Sequence, residues 1–307
     1  MNQTDYPFMI AIAMLAARAD GQSGAAEQAA IDAFVARIGS PDVSQVIQQV
    51  SAGSLRISDL ATRLSDDEAR RTAYETALAV CHADGMTNLA EQTFLELLRD
   101  KLGLTAIAVE EMTHRAGALS GVALTPSTVP PEPGASNDAA LDEQILQQAM
   151  LTGALEILPD RLANIAVLPL QLRLVYQIGQ RYGQQLDANQ VKDLVATLGL
   201  GAAAQAMEGV VIKVLGGLAG GLLGGLLGGA GRVAGGAAIT FASTYALGHV
   251  AKQYYAQGRK LSTADLRALF TRFQQDAGTI YPKVQEQIQA RSRTLSLQSI
   301  LGTLQGK

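Results

Sequence analysis

Apolar residues recur at every third or fourth position along most of this chain, which is the spacing of an amphipathic α-helix. In one clear case Ile31, Phe34, Val35 and Ile38 share a face, and Gly39-Ser40-Pro41 follows as a stop signal. The same reasoning predicts further helices at residues 8–18, 43–50, 57–64, 68–83, 89–102, 138–158, 162–182, 187–198 and around 266–270. The expected fold class is therefore all-α.

Breaks in this pattern divide the chain into segments. Residues 119–137 carry four of the nine prolines and no predicted helix, so we expect a Pro-rich linker there. The linker separates a helical bundle at 1–118 from a second helical domain at 138–275, in which Pro169 is expected to kink or divide a helix. Residues 276–307 are rich in Gln, Ser and Thr and are predicted to form a peripheral helix or a tail.

A glycine-rich segment, Val214 to Gly231, interrupts the second domain. Glycine pairs recur there every fourth residue, so in a helix they would share one face and leave the leucines on the other. Each interior glycine costs a helix about 1 kcal/mol relative to alanine, so such a helix needs a bilayer or a neighbouring helix against its bare face. We interpret the segment as a glycine zipper whose helix-packing residues are Gly216, Gly217, Gly220, Gly221, Gly224, Gly225, Gly228 and Gly229.

The residues that follow the zipper extend this interpretation. Arg232 separates it from a second run without Asp, Glu, Lys or Arg, Val233 to Ala251, so residues 208–251 are predicted to form a glycine-zipper hairpin. Such a hairpin either enters the bilayer or is buried between helices of the protein. From residue 250 onward the sequence contains nine Lys and Arg but only three Asp and Glu. This excess of positive charge would keep the flanks of the hairpin on the cytoplasmic side of a bacterial inner membrane. The alternative location is the cytoplasm.

The N-terminal domain contains an internal two-fold repeat. Ala19-Asp20-Gly21 is followed after five residues by Glu27, and Ala83-Asp84-Gly85 is followed after five residues by Glu91. The interval from Gly to Glu equals that of a calcium-binding EF-hand loop, although the remaining positions lack the other ligands. Two interpretations stay open. The four acids bind a divalent ion, calcium or magnesium, or the motifs only cap helices, with Asn88 and Glu91 as an N-cap and its N3 partner and Gly24 with Glu27 as a poorer version.

In its residues and its helix junctions this repeat resembles the TerB tellurite-resistance family. The resemblance covers residues 1 to about 118, and the segment CHADGMTNLAEQTFLELLRDKLGL matches better than the first copy. TerB-like proteins are acidic, helical and linked to tellurite and stress responses, and metal binding is attributed to these carboxylates. The resemblance therefore implies that Asp20, Glu27, Asp84 and Glu91 are metal ligands, and it implies no enzymatic activity.

Two segments of the second domain, LPLQLRLVYQIGQRYGQQLD and TYALGHVAKQYYAQG, resemble the YcjF-like family, also known as the DUF697 domain. That family has no assigned function and often accompanies bacterial GTPases. The resemblance spans about residues 140–275 and implies a membrane-associated helical domain. Because this chain has no phosphate-binding GxxxxGK[ST] loop, any GTPase would be a separate partner.

Charge and composition restrict the function further. Residues 1–137 hold seventeen acids and nine bases and the remainder eleven acids and fifteen bases, with no basic patch interleaved with aromatic residues, so no nucleic-acid partner is expected. The single Cys81 can form no internal disulfide, which suits a reducing compartment. The three histidines join no catalytic motif, and His249 is a candidate pH sensor or headgroup contact.

These observations predict a non-enzymatic, membrane-associated accessory or scaffold protein of bacteria. It would be metal-responsive, linked to tellurite or another stress, and homo-oligomeric, with a GTPase or a stress-response protein as a separate partner. Two alternatives stay open: a glycine-zipper oligomer that forms a structural assembly or a pore, and a soluble adaptor for a partner GTPase.

Overall fold

The computed structural model describes residues 4–19, 40–82, 87–120, 138–158, 166–200 and 234–295. These residues form helices joined by turns and contain no strand, which confirms the all-α fold class. The helices in these ranges are α1 (Tyr6–Ala17), α2 (Pro41–Ser51), α3 (Ile57–Thr62), α4 (Asp67–Cys81), α5 (Leu89–Leu102), α6 (Ala106–Ser120), α7 (Asp138–Leu155), α8 (Val167–Arg181), α9 (Ala188–Thr197), α10 (Ala234–Ala256) and α11 (Thr263–Thr294).

Helix α1 is the central element of the first group of helices. Every residue from Met9 to Met14 is fully buried, because α2, α3, α4 and α5 all pack against this helix. A helix surrounded in this way has no polar face, and the sequence of α1 is apolar all round. Phe8 and Leu15, which share one helical face with Ile12 in the sequence pattern, are only partly buried.

Helix α10 has the corresponding position in the second group, where α7, α8 and α11 pack around it. Its buried residues include Ala237 and Phe241 near its start and Leu247 and Val250 near its end. At Gly248 the backbone comes so close to α7 that a Cβ atom would lie 2.6 Å from Ile145 Cγ2. Glycine at this position allows the two helices to pack closely.

The two groups of helices share one hydrophobic cluster. Leu151 and Leu155 at the end of α7, with Val167 and Leu170 at the start of α8, belong to the same cluster as the buried residues of α1. The apolar surface of the first group is thus partly covered by residues that follow the Pro-rich segment in the chain. Most of that segment lies outside the described residues.

Local signals in the sequence fix several helix ends. The Asp187 carboxylate accepts a hydrogen bond from Gln190 N at 2.9 Å, so Asp187 caps α9 as the sequence predicts. Gly199, just after α9, has the positive φ of 80° that glycine adopts without strain. Pro169 lies in the first turn of α8, where backbone N–H groups have no partner within the helix, and α8 continues from there to Arg181. The start of the predicted helix, residues 162–165, lies outside the described residues, so the predicted kink or division at Pro169 stays a prediction.

The segment after residue 275 continues α11, which runs without interruption to Thr294. Its buried residues Tyr281, Val284 and Ile288 join a cluster with residues from the first half of α10. The part of the predicted tail that the structure describes, 276–295, is therefore helix packed on the bundle for all but its last residue.

The glycine zipper, including Gly216, Gly217, Gly220, Gly221, Gly224, Gly225, Gly228 and Gly229, lies outside the described residues. The second apolar run of the predicted hairpin is described from Ala234 onward, where it forms α10, packed between α7, α8 and α11. Within the described ranges no helix combines the length and the apolar character needed to cross a bilayer.

Candidate functional site

Of the four predicted metal ligands, only Glu91 lies in the described part of the chain, and Asp20, Glu27 and Asp84 lie outside it. The Glu91 carboxylate accepts a hydrogen bond from Asn88 N at 2.8 Å, while Asn88 Oδ1 accepts from the backbone N–H groups of Ala90 and Glu91. This capping box at the start of α5 confirms the capping interpretation for the second copy of the repeat. Among the described residues, no three His, Cys, Asp or Glu side chains form a group suited to a metal ion.

An open pocket of about 560 Å³ lies beside this cap, between α4, α5 and α6. The turn at Gly103, whose φ is 68°, reverses the chain between α5 and α6 and brings their side chains to one cleft. The residues that line it are Tyr74, His82, Thr87, Gln92, Leu95, Glu96, Arg99, Ala106, Val109, Glu110, Thr113 and His114.

The innermost part of the pocket is aromatic and apolar. Tyr74 is only 2% exposed, and Leu95 and Val109 are buried beside it. Burial raises the pKa of the Tyr74 phenol, and a hydrogen bond with Thr113 opposes part of this shift. Tyr74 is therefore a neutral hydrogen-bonding group at neutral pH, set in an apolar floor.

The outer part of the pocket carries charges of both signs. Glu96 comes from α5 and Glu110 from α6, and both are exposed. Arg99 donates two hydrogen bonds to Asp100 Oδ1, at 2.9 Å from Nε and 2.7 Å from Nη2, and this contact raises the pKa of Arg99. Much of the positive charge of Arg99 is thus balanced by Asp100, which does not line the pocket.

A second group of ionisable residues joins α7 to α10. Lys252 Nζ lies 2.7 Å from Asp142 Oδ1 and 3.4 Å from Asp138 Oδ1, and His249 Nδ1 lies 3.7 Å from Asp142 Oδ1. Burial lowers the pKa of Lys252, but its hydrogen bonds and charge interactions with the two aspartates outweigh that effect, so its pKa is raised. We call these four residues the lysine cluster.

The His249 ring is held between two aromatic rings, Tyr245 at 4.4 Å and Phe273 at 5.0 Å between centroids. Its Nε2 atom is buried and has no hydrogen-bond partner among the described residues. Burial lowers the pKa of His249 below 6.5, and the Asp142 carboxylate opposes part of this effect. In the structure His249 is thus packed in protein near the end of α10.

Sequence patterns predicted neither the pocket nor the lysine cluster. The pocket residues come from three helices, and the lysine cluster joins residues about a hundred positions apart, so no local motif marks them. His249 was singled out as a lone titratable residue, but its partner Asp142 gave no signal of its own. An Asp at the start of one helix facing a Lys at the end of another becomes evident only when α7 and α10 pack together.

A comparison with protein-family models finds a match between residues 3–116 and a family described as "Protein of unknown function (DUF533)". DUF533 is related to the TerB-like family, so the resemblance seen in the N-terminal repeat is supported at that coarser level. The match ends before α7 and gives no support to the resemblance between residues 140–275 and the YcjF-like family. No curated protein and no solved structure matches the chain.

Proposed function

We propose that this chain is a non-enzymatic bacterial accessory or scaffold protein, in which a rigid helical body carries a glycine-rich contact segment. The observation that supports this most is the enclosure of α10 by α7, α8 and α11. Most apolar residues of α10 are buried against these helices. Of the two uncharged runs of the predicted hairpin, the proposal therefore assigns contact with lipid or with a second copy to Val214–Gly231.

The anchoring of this segment supports the same proposal. Leu200, on its N-terminal side, belongs to the cluster around the end of α10 with Val250 and Tyr255. Ala237, on its C-terminal side, belongs to the cluster around the start of α10 with Phe241 and Ile288. Leu200 and Ala237 thus lie toward opposite ends of α10, and the 13 to 18 residues between Ala237 and Val250 or Tyr255 correspond to about 20–27 Å at 1.5 Å per residue.

In the finer form of the proposal, the N-terminal domain is a TerB-like module that responds to tellurite or a related stress. A calcium or magnesium ion at Asp20, Glu27, Asp84 and Glu91 would change how it contacts a partner. The C-terminal domain would be YcjF-like, and a separate GTPase or stress-response protein is the expected partner. The location proposed is the cytoplasmic face of the inner membrane, with association into homo-oligomers.

Alkaline carbonate extraction of membranes from cells that express the full chain tests the membrane part of the proposal. We expect the protein to stay in the membrane pellet. Release into the supernatant would contradict membrane association and would favour the soluble adaptor, in which the glycine-rich segment is covered by protein.

Size-exclusion chromatography of the purified chain tests the zipper separately. Replacing Gly220 and Gly224 by leucine should abolish the oligomer, because the added side chains keep neighbouring backbones apart. The control is Ala203→Leu with Ala204→Leu, which adds the same side chains outside the glycine pairs. An oligomer that survives the glycine substitutions would show that zipper packing is not what holds it together.

A further inference from the structure

The pocket between α4, α5 and α6 has the dimensions of a small-molecule site. Its volume of about 560 Å³ lies within the range of roughly 300–1,000 Å³ that is usual for ligand pockets. Three helices form its walls, and the α5–α6 turn at Gly103 closes one side of the helix pair. The residues that line the pocket all belong to the described part of the chain.

The floor and the rim of this pocket differ in chemistry. The floor consists of the Leu95 and Val109 side chains and the buried ring of Tyr74, which together offer an apolar surface. The rim carries the Glu96 and Glu110 carboxylates, and neither forms an ion pair or a hydrogen bond among the described residues. The charge of Glu96 is partly offset by Arg99, whose pKa it helps to raise, and no such partner is found for Glu110 among the described residues. An apolar floor below these two carboxylates favours a ligand with an apolar body and a positive charge.

Arg99 does not reverse this preference. Two of its guanidinium nitrogens donate hydrogen bonds to Asp100, so part of its charge is offset before a ligand enters. The formal charge of the lining is one negative unit, from Glu96, Glu110 and Arg99, with His82 and His114 counted as neutral. An anionic ligand would be repelled by the two glutamates, and a neutral ligand would gain no charge interaction from them.

We propose that this pocket binds a small organic cation, namely an alkyl amine with a short apolar chain. The ammonium group takes hydrogen bonds to the carboxylates of Glu96 and Glu110, and the methylene groups lie on Leu95 and Val109. The proposal rests on the pocket alone and is independent of the membrane and zipper proposals.

Titration of the full chain with 1,4-diaminobutane and with n-butylamine, followed by calorimetry at low ionic strength, tests this site. We expect saturable binding of both amines and no saturable binding of 1-butanol, which has the same apolar chain without the charge. Glu96→Gln with Glu110→Gln keeps the size of both side chains and removes their charges. The double variant should bind the amines at least about tenfold more weakly, because charge-assisted hydrogen bonds are lost.

The matched control is Glu286→Gln, which removes an exposed carboxylate on α11, away from the pocket. It should bind the amines as the unmodified chain does, and circular dichroism should show the same helix content for all variants. The proposal would be overturned by no saturable binding of either amine, by equal binding of 1-butanol, or by amine binding that survives the double substitution. It would also be overturned if Glu286→Gln weakened amine binding as much as the double substitution does, because that result would mean general charge attraction.

Discussion

Lys252 donates a hydrogen bond from Nζ to Oδ1 of Asp142 across 2.7 Å, joining α10 to α7 over a separation of 110 residues. The lysine side chain is 15% exposed and the aspartate side chain 46% exposed, so the exposure of this ion pair is intermediate between that of a buried pair and that of a surface pair. Pairs of this kind are screened less than surface pairs and cost less to desolvate than fully buried ones. The contact holds α7 in register with the central helix of the second group.

Asp142→Asn should therefore destabilise the protein by about 1–2 kcal/mol, because Lys252 keeps its charge and its closest acceptor loses the compensating negative charge. Urea unfolding followed by circular dichroism measures the change. In a double-mutant cycle with Lys252→Met, we expect a coupling energy of about 1 kcal/mol. The control Asp100→Asn removes an exposed pair within one helix and should cost less than about 0.5 kcal/mol. A coupling energy near zero would show that the contact contributes nothing to stability.

His249 predicts how stability depends on pH. Burial lowers the pKa of His249 in the folded state, so the unfolded chain binds a proton more readily than the folded protein does. The stability that the folded protein gains by keeping His249 neutral is fully present above about pH 6.5, the ordinary pKa of histidine. It is lost as the pH falls through the lower pKa that His249 has in the folded protein. Within that window the loss reaches up to about 1.4 kcal/mol per pH unit.

Urea unfolding of the unmodified chain and of His249→Gln at pH 7.5, 6.5 and 5.5 tests this pH dependence. The variant should lose less stability on acidification than the unmodified chain does. His114→Gln, which removes an exposed histidine from α6, is the control and should follow the unmodified chain. Identical pH profiles for the unmodified chain and His249→Gln would contradict the assignment.

A buried polar contact fixes the relative positions of three helices. Thr244 Oγ1 on α10 lies 2.9 Å from Thr152 Oγ1 on α7 and accepts a hydrogen bond of 2.9 Å from Gln171 Nε2 on α8. Thr244→Val preserves the shape and removes this acceptor, so it should cost about 1–3 kcal/mol in unfolding free energy.

Thr271→Val is the matched control for this polar contact, because it makes the same change at an exposed position of α11. It should stay within about 0.5 kcal/mol of the unmodified chain. If Thr244→Val proves no more costly than Thr271→Val in urea unfolding, the buried contact has no net stabilising effect.

Two substitutions at Glu91 separate the effect of its capping hydrogen bond from the effect of its carboxylate charge. Glu91→Gln keeps an oxygen that can accept from Asn88 N, so it should change the thermal midpoint little, whereas Glu91→Ala should cost about 1 kcal/mol. Scanning calorimetry measures both, with Glu286→Ala as an exposed control. A Glu91→Gln variant as unstable as Glu91→Ala would show that the carboxylate charge, rather than the cap, matters at this position.

The helix ends and the helical periodicity were predictable because they depend on neighbouring residues. The bounds of α5, Leu89–Leu102, agree with the predicted 89–102, since Asn88 with Glu91 at one end and Gly103 at the other are local signals. The start of α8 at Val167 has no side-chain cap, so no comparable local signal showed that Pro169 lies in its first turn.

Burial was less predictable than periodicity, because it depends on what packs against a helix. The spacing in α1 puts Phe8 on one face with Ile12, yet α2, α3, α4 and α5 surround α1 and bury every residue from Met9 to Met14. The pocket had no sequence signal either. Tyr74, Glu96 and Glu110 lie on three different helices, and nothing in one helix indicates what the next places beside it.

The sequence by itself therefore determined the all-α class, the bounds of six of the eleven described helices to within two residues, and the caps at Asn88 and Asp187, because each follows from side chains close together in the chain. The tertiary structure alone decided that α1 and α10 are enclosed and that Lys252 meets Asp142. Those outcomes depend on contacts between segments far apart in the chain, which form only when the helices pack and exclude water from the surfaces between them.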